Sequence, residues 1–247
     1  MRAPTLLAIV LLLAVDLRAQ VSPFTPPERP EARTFYVTNG TEWLFSFPLL
    51  HASDDSVQGG RNGVVRFAPF FNPRALVHWD ASDHVGFFSG LGIRNLGFIL
   101  DDPGRNERRK YRAYTLSIPA GIKLGRMHNV LAFFGYDLDL PFHYQEKRFV
   151  DRKRVDRTGE WFSVRTPRLF HSVMVGVQAP YGINVTVKYT FTPFHDTGFR
   201  EVVDGVERLP YTGLRTNLLQ LTLNWGMHAG RERNRGTVIP APVDPRT

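Results

Sequence analysis

Apolar and polar residues alternate along most of this chain with the two-residue period of a β-strand. In residues 217–227 (NLLQLTLNWGM) every odd position from 219 onward is apolar, whereas Gln220, Thr222 and Asn224 lie between them. Residues 182–191 (GINVTVKYTF) repeat this pattern. Successive side chains of a strand point to opposite faces, so each segment predicts a strand with one apolar and one polar face. Helical spacing is scarce, and the predicted fold class is all-β.

Eight such segments occur, and the lengths of the links between them alternate. The predicted strands are 41–51, 64–80, 85–100, 114–125, 130–144, 168–179, 183–191 and 217–227. Long links at 52–63, 101–109, 147–167 and 194–213 alternate with short ones at 82–83, 125–129 and 180–181. Loops at one end and turns at the other are typical of an eight-stranded antiparallel up-and-down transmembrane β-barrel, with the chain ends beside the turns.

The stretch YDLDLPFHY (136–144) places three candidate chemical groups in an aromatic and aliphatic run. Read with a strict period of two, even positions from 130 to 144 form one apolar face. Asp137, Asp139 and His143 then fall on the opposite, polar face. We expect all three side chains to point into the barrel lumen.

Alternation alone does not say which face is inside, because a soluble barrel with an apolar interior gives the same pattern. Two features favour the membrane form. The polar faces hold mainly small neutral residues with isolated charges, as a narrow packed lumen requires. The apolar faces carry aromatic residues near strand ends, namely Trp43, Trp79, Tyr144 and Trp225, as interfacial girdles do.

The N-terminal segment and the composition favour an exported envelope protein. Arg2, the apolar run 6–15 and Ala19 predict a signal peptide (1–19) cleaved before Gln20. The chain has no cysteine and a net charge of +8. The predicted organisation is completed by a periplasmic N-terminal segment (20–40), an outer-membrane barrel (41–229) and a flexible periplasmic tail (230–247).

Several segments resemble the PorT-like family, the small outer-membrane β-barrels of Bacteroidetes-type bacteria. The segments that carry this resemblance are GTEWLFSFP (40–48), RFAPFFN (66–72), VGFFSGLGIRNLGFI (85–99), YTLSIPAGIKLG (114–125) and 147–161. The resemblance implies an eight-stranded barrel in the outer membrane. It also implies, through some members of the family, a link to protein secretion.

The charged residues on the polar faces are best explained as a structural network. Charges in a lumen filled by side chains must pair with one another. A catalytic or metal site is the weaker alternative, because the spacing of Asp137, Asp139 and His143 matches no specific ligand or hydrolase pattern. His171 and Ser172 are adjacent in a strand and point to opposite sides, and His78 with Asp80 lies at the turn end. The predicted lumen network consists of Glu42, Arg66, Arg94, Lys123, Asp137, Asp139, His143 and Lys188.

Basic residues concentrate in two predicted loops, and we expect them to contact lipopolysaccharide phosphates in the outer leaflet. No nucleic-acid recognition motif accompanies them. The sequence therefore predicts a structural or accessory barrel without cofactor, catalytic or metal site, whose partners are outer-membrane lipid and envelope or secretion proteins. A surface hydrolase (lipid or peptide) and a narrow channel remain the alternatives. The basic candidates are Arg105, Arg108, Arg109, Lys147, Arg148, Arg152, Lys153, Arg154 and Arg157.

Overall fold

A computed structural model of the chain describes residues 34–51, 62–127, 130–179, 182–203, 205–225 and 227–228. The predicted signal peptide and C-terminal tail lie outside these residues. One short 3-10 helix, Pro103–Arg105, is present in them. No helix of the described residues is long and apolar enough to cross a bilayer. The strands are β1 (Thr34–His51), β2 (Asn62–Val64), β3 (Arg66–Ala68), β4 (Pro73–Asp80), β5 (Val85–Asp102), β6 (Glu107–Gly125), β7 (Leu131–Val150), β8 (Lys153–Trp161), β9 (Phe170–Gln178), β10 (Ile183–Thr190), β11 (Glu201–Val203), β12 (Val206–Arg208), β13 (Arg215–Trp225) and β14 (Met227–His228).

Eight strands of the described chain form a closed antiparallel ring. Their order is β13-β10-β9-β7-β6-β5-β4-β1, and β1 returns to β13. The closing ladder runs from Glu42 opposite Asn224 to His51 opposite Arg215. Each strand of the ring pairs with the ring strands that come before and after it in the chain. The other strands are short or lie outside the ring, so they do not change this order. The prediction of an eight-stranded antiparallel up-and-down β-barrel is confirmed.

The two ends of the barrel differ. Strands β4 and β5, β6 and β7, and β9 and β10 are joined by short turns at one end, where β1 also begins. At the other end, β5, β6 and β7 continue beyond the ring, and β8 pairs with the extension of β7. We call this four-stranded extension the outer sheet. The prediction of a long loop at 147–167 was wrong, because Lys147 to Trp161 form a hairpin in this sheet.

The predicted strand 64–80 is interrupted between Ala68 and Pro73. Phe71 in the break has a positive φ of 64°. The Asn72 side chain replaces the missing ladder, since its amide donates to the Glu42 and Ala68 carbonyls at 3.1 and 2.8 Å. Its oxygen accepts from the Asn95 backbone amide at 2.8 Å. The ring therefore stays closed although the strand is broken.

The interior of the ring is polar and the exterior is apolar. Buried polar side chains line the inside along the whole ring, and large apolar side chains are exposed on the outside. The inward-facing polar residues include Ser46, Arg94, Thr115, Ser117, Asp137, Asp139, Ser172, Thr190, Gln220 and Thr222. The outward-facing apolar residues include Phe35, Val77, Trp79, Leu91, Ile118, Ile122, Leu124, Phe134, Val173, Val175, Val177 and Val187.

Candidate functional site

Arg94 on β5 lies at the centre of the lumen and faces three carboxylates. Its guanidinium nitrogens are 3.3 Å from Glu42, 3.7 Å from Asp137 and 3.6 Å from Asp139. It also donates to the Gln220 amide oxygen at 2.9 Å. The four strands that supply these groups converge because each places a polar-face residue at the same level of the ring. One cation thus joins groups from opposite walls of the barrel.

Two further cations complete this group. Lys188 forms an ion pair with Asp137, and Arg74 is 2.6 Å from Glu42. We call these six residues the charged layer; they are Glu42, Arg74, Arg94, Asp137, Asp139 and Lys188. Hydroxyl groups add to it, since Ser117 donates to Asp137 at 2.6 Å and Thr115 donates to Asp139 at 2.8 Å. Three acids meet three bases, so the layer is electrically balanced.

Lys123 belongs to a separate pair nearer the short turns. Its ammonium group binds Asp80 and donates to the Tyr36 hydroxyl at 2.9 Å. His78 on the same strand as Asp80 is 2.8 Å from the Thr38 hydroxyl through Nε2. The sequence identified Lys123 as a lumen cation but did not identify Asp80 as its partner, because pairing across the lumen depends on strand stagger.

Arg66 does not join the charged layer, so this part of the predicted network is wrong. Its guanidinium donates to the backbone carbonyl of Asn95 at 2.8 Å and to the side-chain oxygen at 2.6 Å. Among the described residues no carboxylate forms an ion pair with it. The break after Ala68 leaves β3 without a hydrogen-bonded ladder to β5, and Arg66 spans that gap.

His143 also lies outside the lumen, contrary to the prediction. Between Tyr114 and Thr115 the register of β6 and β7 shifts by one residue, a β-bulge that lets Tyr114 face His143 and Thr115 face Pro141. The bulge reverses the alternation beyond Leu140. His143 therefore packs on the exterior against Trp161, with 4.7 Å between ring centroids.

Tyr144 is moved by the same bulge to the inside, where it is 1% exposed, and does not form part of an outer girdle. Trp43 and Trp79 do face outward, with 51% and 41% exposure. The side chain of Trp225 lies outside the described part of the structure.

The outer mouth of the barrel is closed by aromatic side chains. Five side chains there are each only 1% exposed. They are Tyr111 and Tyr144 from the wall, and Phe194, His195 and Tyr211 from the long link after β10. The His195 ring stacks on Tyr211 with 4.1 Å between centroids. We call these five residues the aromatic plug. Residues 96–100 (LGFIL) contain no polar side chain and so depart from alternation. This run indicates in the sequence that the barrel interior becomes apolar near its loop end.

His195 is held neutral in this plug. Burial, and to a smaller extent the Arg165 guanidinium, lower the pKa of His195 to about 3. Its Nε2 is 3.2 Å from the Tyr144 hydroxyl. Because unfolded histidine binds a proton below about pH 6.5, the plug is expected to lose stability as the pH falls from there toward 3.

This pH dependence is measurable by hydrogen exchange of peptides that contain Phe194, His195 and Tyr211. We expect faster exchange near pH 4.5 than near pH 7.5, after correction for intrinsic rates. The His195→Gln variant exchanges faster at both values but loses most of the pH dependence. An equal pH dependence in both proteins contradicts the assignment to His195.

Between the charged layer and the short turns lies a cavity of about 60 Å³. Tyr36, Arg94, Lys123, Gln178 and Lys188 are among the residues that line it. This volume is sufficient for a few water molecules. The cavity ends at the charged layer, and beyond it the aromatic plug fills the outer mouth.

In the part of the chain that the structure describes, His171 and Ser172 do not form a nucleophile–base pair. Ser172 is fully buried and its hydroxyl is 2.8 Å from that of Thr190, whereas His171 contacts the Tyr136 hydroxyl on the outside. The two residues thus face opposite sides, as predicted. Among the described residues no group of three or more histidine, aspartate or glutamate side chains is placed to hold a metal ion.

The basic residues of the outer sheet fall into two classes. On its inner face Arg109 and Arg148 bind Glu107, at 2.5 and 2.8 Å. Burial raises the pKa of Glu107, but the two arginines outweigh this effect and hold the pKa at about 2. Near the hairpin tips, Arg108 pairs with Asp101 and Arg105 with Asp102.

The other predicted basic residues lie on the second hairpin. Arg152, Lys153 and Arg154 lie in or beside its turn, whereas Lys147 and Arg157 face each other in the sheet. The sequence thus located the basic region. It did not show which of these arginines and lysines form an ion pair with a carboxylate and which do not.

Comparison with known proteins gives distant structural similarity only. The chain matches no protein-family model and no curated protein. Among solved structures it is similar to Ail, the attachment invasion locus protein of Yersinia pestis, with a TM-score of 0.32, 9% identity, and coverage of 77% of this chain and 97% of Ail. A second crystal structure of Ail, in complex with the heparin analogue sucrose octasulfate, gives a TM-score of 0.30, 8% identity and the same coverage. Similarity at this level does not identify a function.

Proposed function

We propose that this chain is a small β-barrel of the Gram-negative outer membrane, with a lumen closed by its own side chains. Its role in this proposal is structural, or accessory to an envelope assembly such as a protein-secretion apparatus. The observation that carries the proposal is an apolar exterior around an ion-paired interior. Water-soluble proteins rarely expose continuous apolar surface of this extent, whereas a barrel in lipid requires it.

The height of the apolar band supports a membrane position. On β6 every second side chain from Leu124, beside the short turn, to Tyr114 faces outward and is apolar or aromatic. Arg112 is the next outward residue. Ten residues of a strand tilted by about 40° rise about 26 Å. The apolar band of outer-membrane barrels is about 25 Å tall.

Aromatic rings on the exterior mark both edges of this band. At the short-turn end, Trp79 stacks on Phe35 and Phe87, with 5.9 and 5.4 Å between centroids. At the opposite end, His171 stacks on Phe191 at 5.9 Å. Amphipathic rings favour the headgroup level of a bilayer. Short turns face the periplasm in such barrels, so the outer sheet projects from the cell.

An accessory role is supported by apolar side chains that remain exposed where the strands are interrupted or end. Phe70, Phe71, Phe162 and Val164 are each about 70% exposed or more. A partner protein is a suitable cover for such side chains. A hydrolase or a channel has less support, because the lumen carboxylates are ion-paired and the charged layer and aromatic plug obstruct the pore. The proposal also includes membership of the PorT-like family, and the support for it is the resemblance of the strand segments.

Heat-modifiability on gels combined with membrane fractionation tests the proposal. We expect the chain in the outer-membrane fraction, with an unboiled band that migrates faster than the boiled one, because a closed barrel resists the detergent at room temperature. A soluble periplasmic protein without a mobility shift overturns the proposal. A matched control is the same chain without residues 215–225, which lacks β13 and does not close the ring.

A further inference from the structure

The exterior face of the outer sheet carries a row of cations in direct register. Lys110 on β6 lies opposite Lys147 on β7, and Lys147 lies opposite Arg157 on β8. Arg112, two residues from Lys110, faces the same side. Directly opposite side chains have Cβ atoms about 5 Å apart, and diagonal neighbours about 7–8 Å. We call Lys110, Arg112, Lys147 and Arg157 the cation row.

This row is electrostatically unfavourable in the isolated chain. Like charges directly opposite in a sheet repel and destabilise the pair. Burial lowers the pKa of Lys147, and the surrounding cations, Arg112 and Arg157 foremost, lower it further. Among the described residues no carboxylate forms an ion pair with any member of the row.

The inner face of the same strands shows the opposite arrangement. There Arg109 and Arg148 also lie in register, and Glu107 stands between them with an ion pair to each. Arg109 is in addition 3.6 Å from Glu146. The chain therefore supplies an acid between the paired arginines of the inner face, whereas on the outer face Asp101 pairs with Arg108 and no described carboxylate pairs with the cation row. A bound anion from outside the chain is the simplest compensation for the outer row.

The position of the row limits which anion can reach it. Directly below it on the exterior, Tyr114 lies opposite His143, and His143 lies opposite Trp161. These rings mark the upper edge of the apolar band, and each two-residue step along a tilted strand rises about 5 Å. Arg112 and Lys147 thus stand at headgroup height and point sideways, toward neighbouring lipid.

We propose that the cation row binds the phosphate groups of a phosphorylated glycolipid of the outer leaflet, the lipid A part of lipopolysaccharide. Its acyl chains lie against the apolar band, and its phosphates accept charge-assisted hydrogen bonds from the lysine and arginine side chains. This inference rests on the proposed outer-membrane position. It also explains why a repulsive row stands where the sheet leaves the membrane.

The test uses the full-length mature barrel purified in detergent and titrated with diphosphoryl lipid A, with bound lipid counted by native mass spectrometry. The variant K110Q/K147Q/R157Q removes three members of the row. The matched control, R105Q/R152Q/K153Q, removes the same charge from exposed hairpin tips. Dephosphorylated lipid A, inorganic phosphate in excess and a soluble sulfated polysaccharide are parallel arms.

We expect the row variant to bind diphosphoryl lipid A at least about tenfold more weakly than the wild type and the control. We expect dephosphorylated lipid A to bind the wild type as weakly as diphosphoryl lipid A binds the row variant. Inorganic phosphate is not expected to displace the lipid. Equal binding by all three proteins overturns the inference, as does polysaccharide binding at these residues without lipid binding. Unboiled gel mobility of each sample separates the two proposals, because a folded outer-membrane barrel that fails to bind lipid A contradicts only this inference.

Discussion

Replacement of Arg94 by methionine is expected to lower the free energy of unfolding by about 3–5 kcal/mol, because it leaves buried carboxylates without their central cation. Asp139 is affected most, since Arg94 is its ion-pair partner in the charged layer and Thr115 supplies only a neutral hydrogen bond. The measurement is a urea titration of the barrel refolded into lipid vesicles, with tryptophan fluorescence and the unboiled gel band as readouts.

Two further variants isolate the cause. Addition of Asp139→Asn to Arg94→Met removes the unpaired charge and is expected to recover part of the lost stability. Arg105→Met removes an arginine whose side chain is 73% exposed, and we expect a change within about 0.5 kcal/mol. If Arg94→Met unfolds at the same midpoint urea concentration as the wild type, the lumen is not a dry network of ion pairs. Water then solvates its charges.

Replacement of Ile118 by arginine is expected to cost about 2–4 kcal/mol in a bilayer, because this outward side chain lies near the middle of the apolar band on β6. Its 38% exposure means that the larger side chain meets no packed core. The same urea titration in vesicles measures the change. The result reports directly on the solvent that surrounds the barrel.

Leu124→Arg is the matched control, since Leu124 faces outward on the same strand but lies beside the short turn. Near an interface the cost of a charged residue falls to about 0–1 kcal/mol. A change within about 0.5 kcal/mol for Ile118→Arg means that the exterior faces water, because surface substitutions in water have effects of that size.

Most residues of the charged layer could be predicted from the sequence. Alternation placed Glu42, Arg94, Asp137, Asp139 and Lys188 on the polar faces, which the small neutral residues beside them predicted to be inside, and the structure brings all five together. Arg74 was missed, because its place in the layer depends on how far β1 and β4 are staggered.

His143 and Arg66 were assigned wrongly for local reasons. One extra residue at the bulge in β7 moves every later side chain to the other face, and the hydrophobic pattern does not reveal it because Phe142 and Tyr144 are both apolar. Arg66 stays on the inside, opposite Ser46, but it donates to Asn95 and not to an acid. Period-two reasoning holds up to an irregularity and inverts beyond it.

The sequence by itself determined the fold class, the number of strands in the ring, the ends at which short turns lie and the faces on which most charges stand. These are local properties, set by alternation and by the lengths of links. Only the tertiary structure decided which face is inside, because alternation is unchanged when a barrel is turned inside out. It also decided which cations are neutralised, since ion pairs across the lumen and between neighbouring strands depend on stagger and register, and these are fixed only when the ring closes.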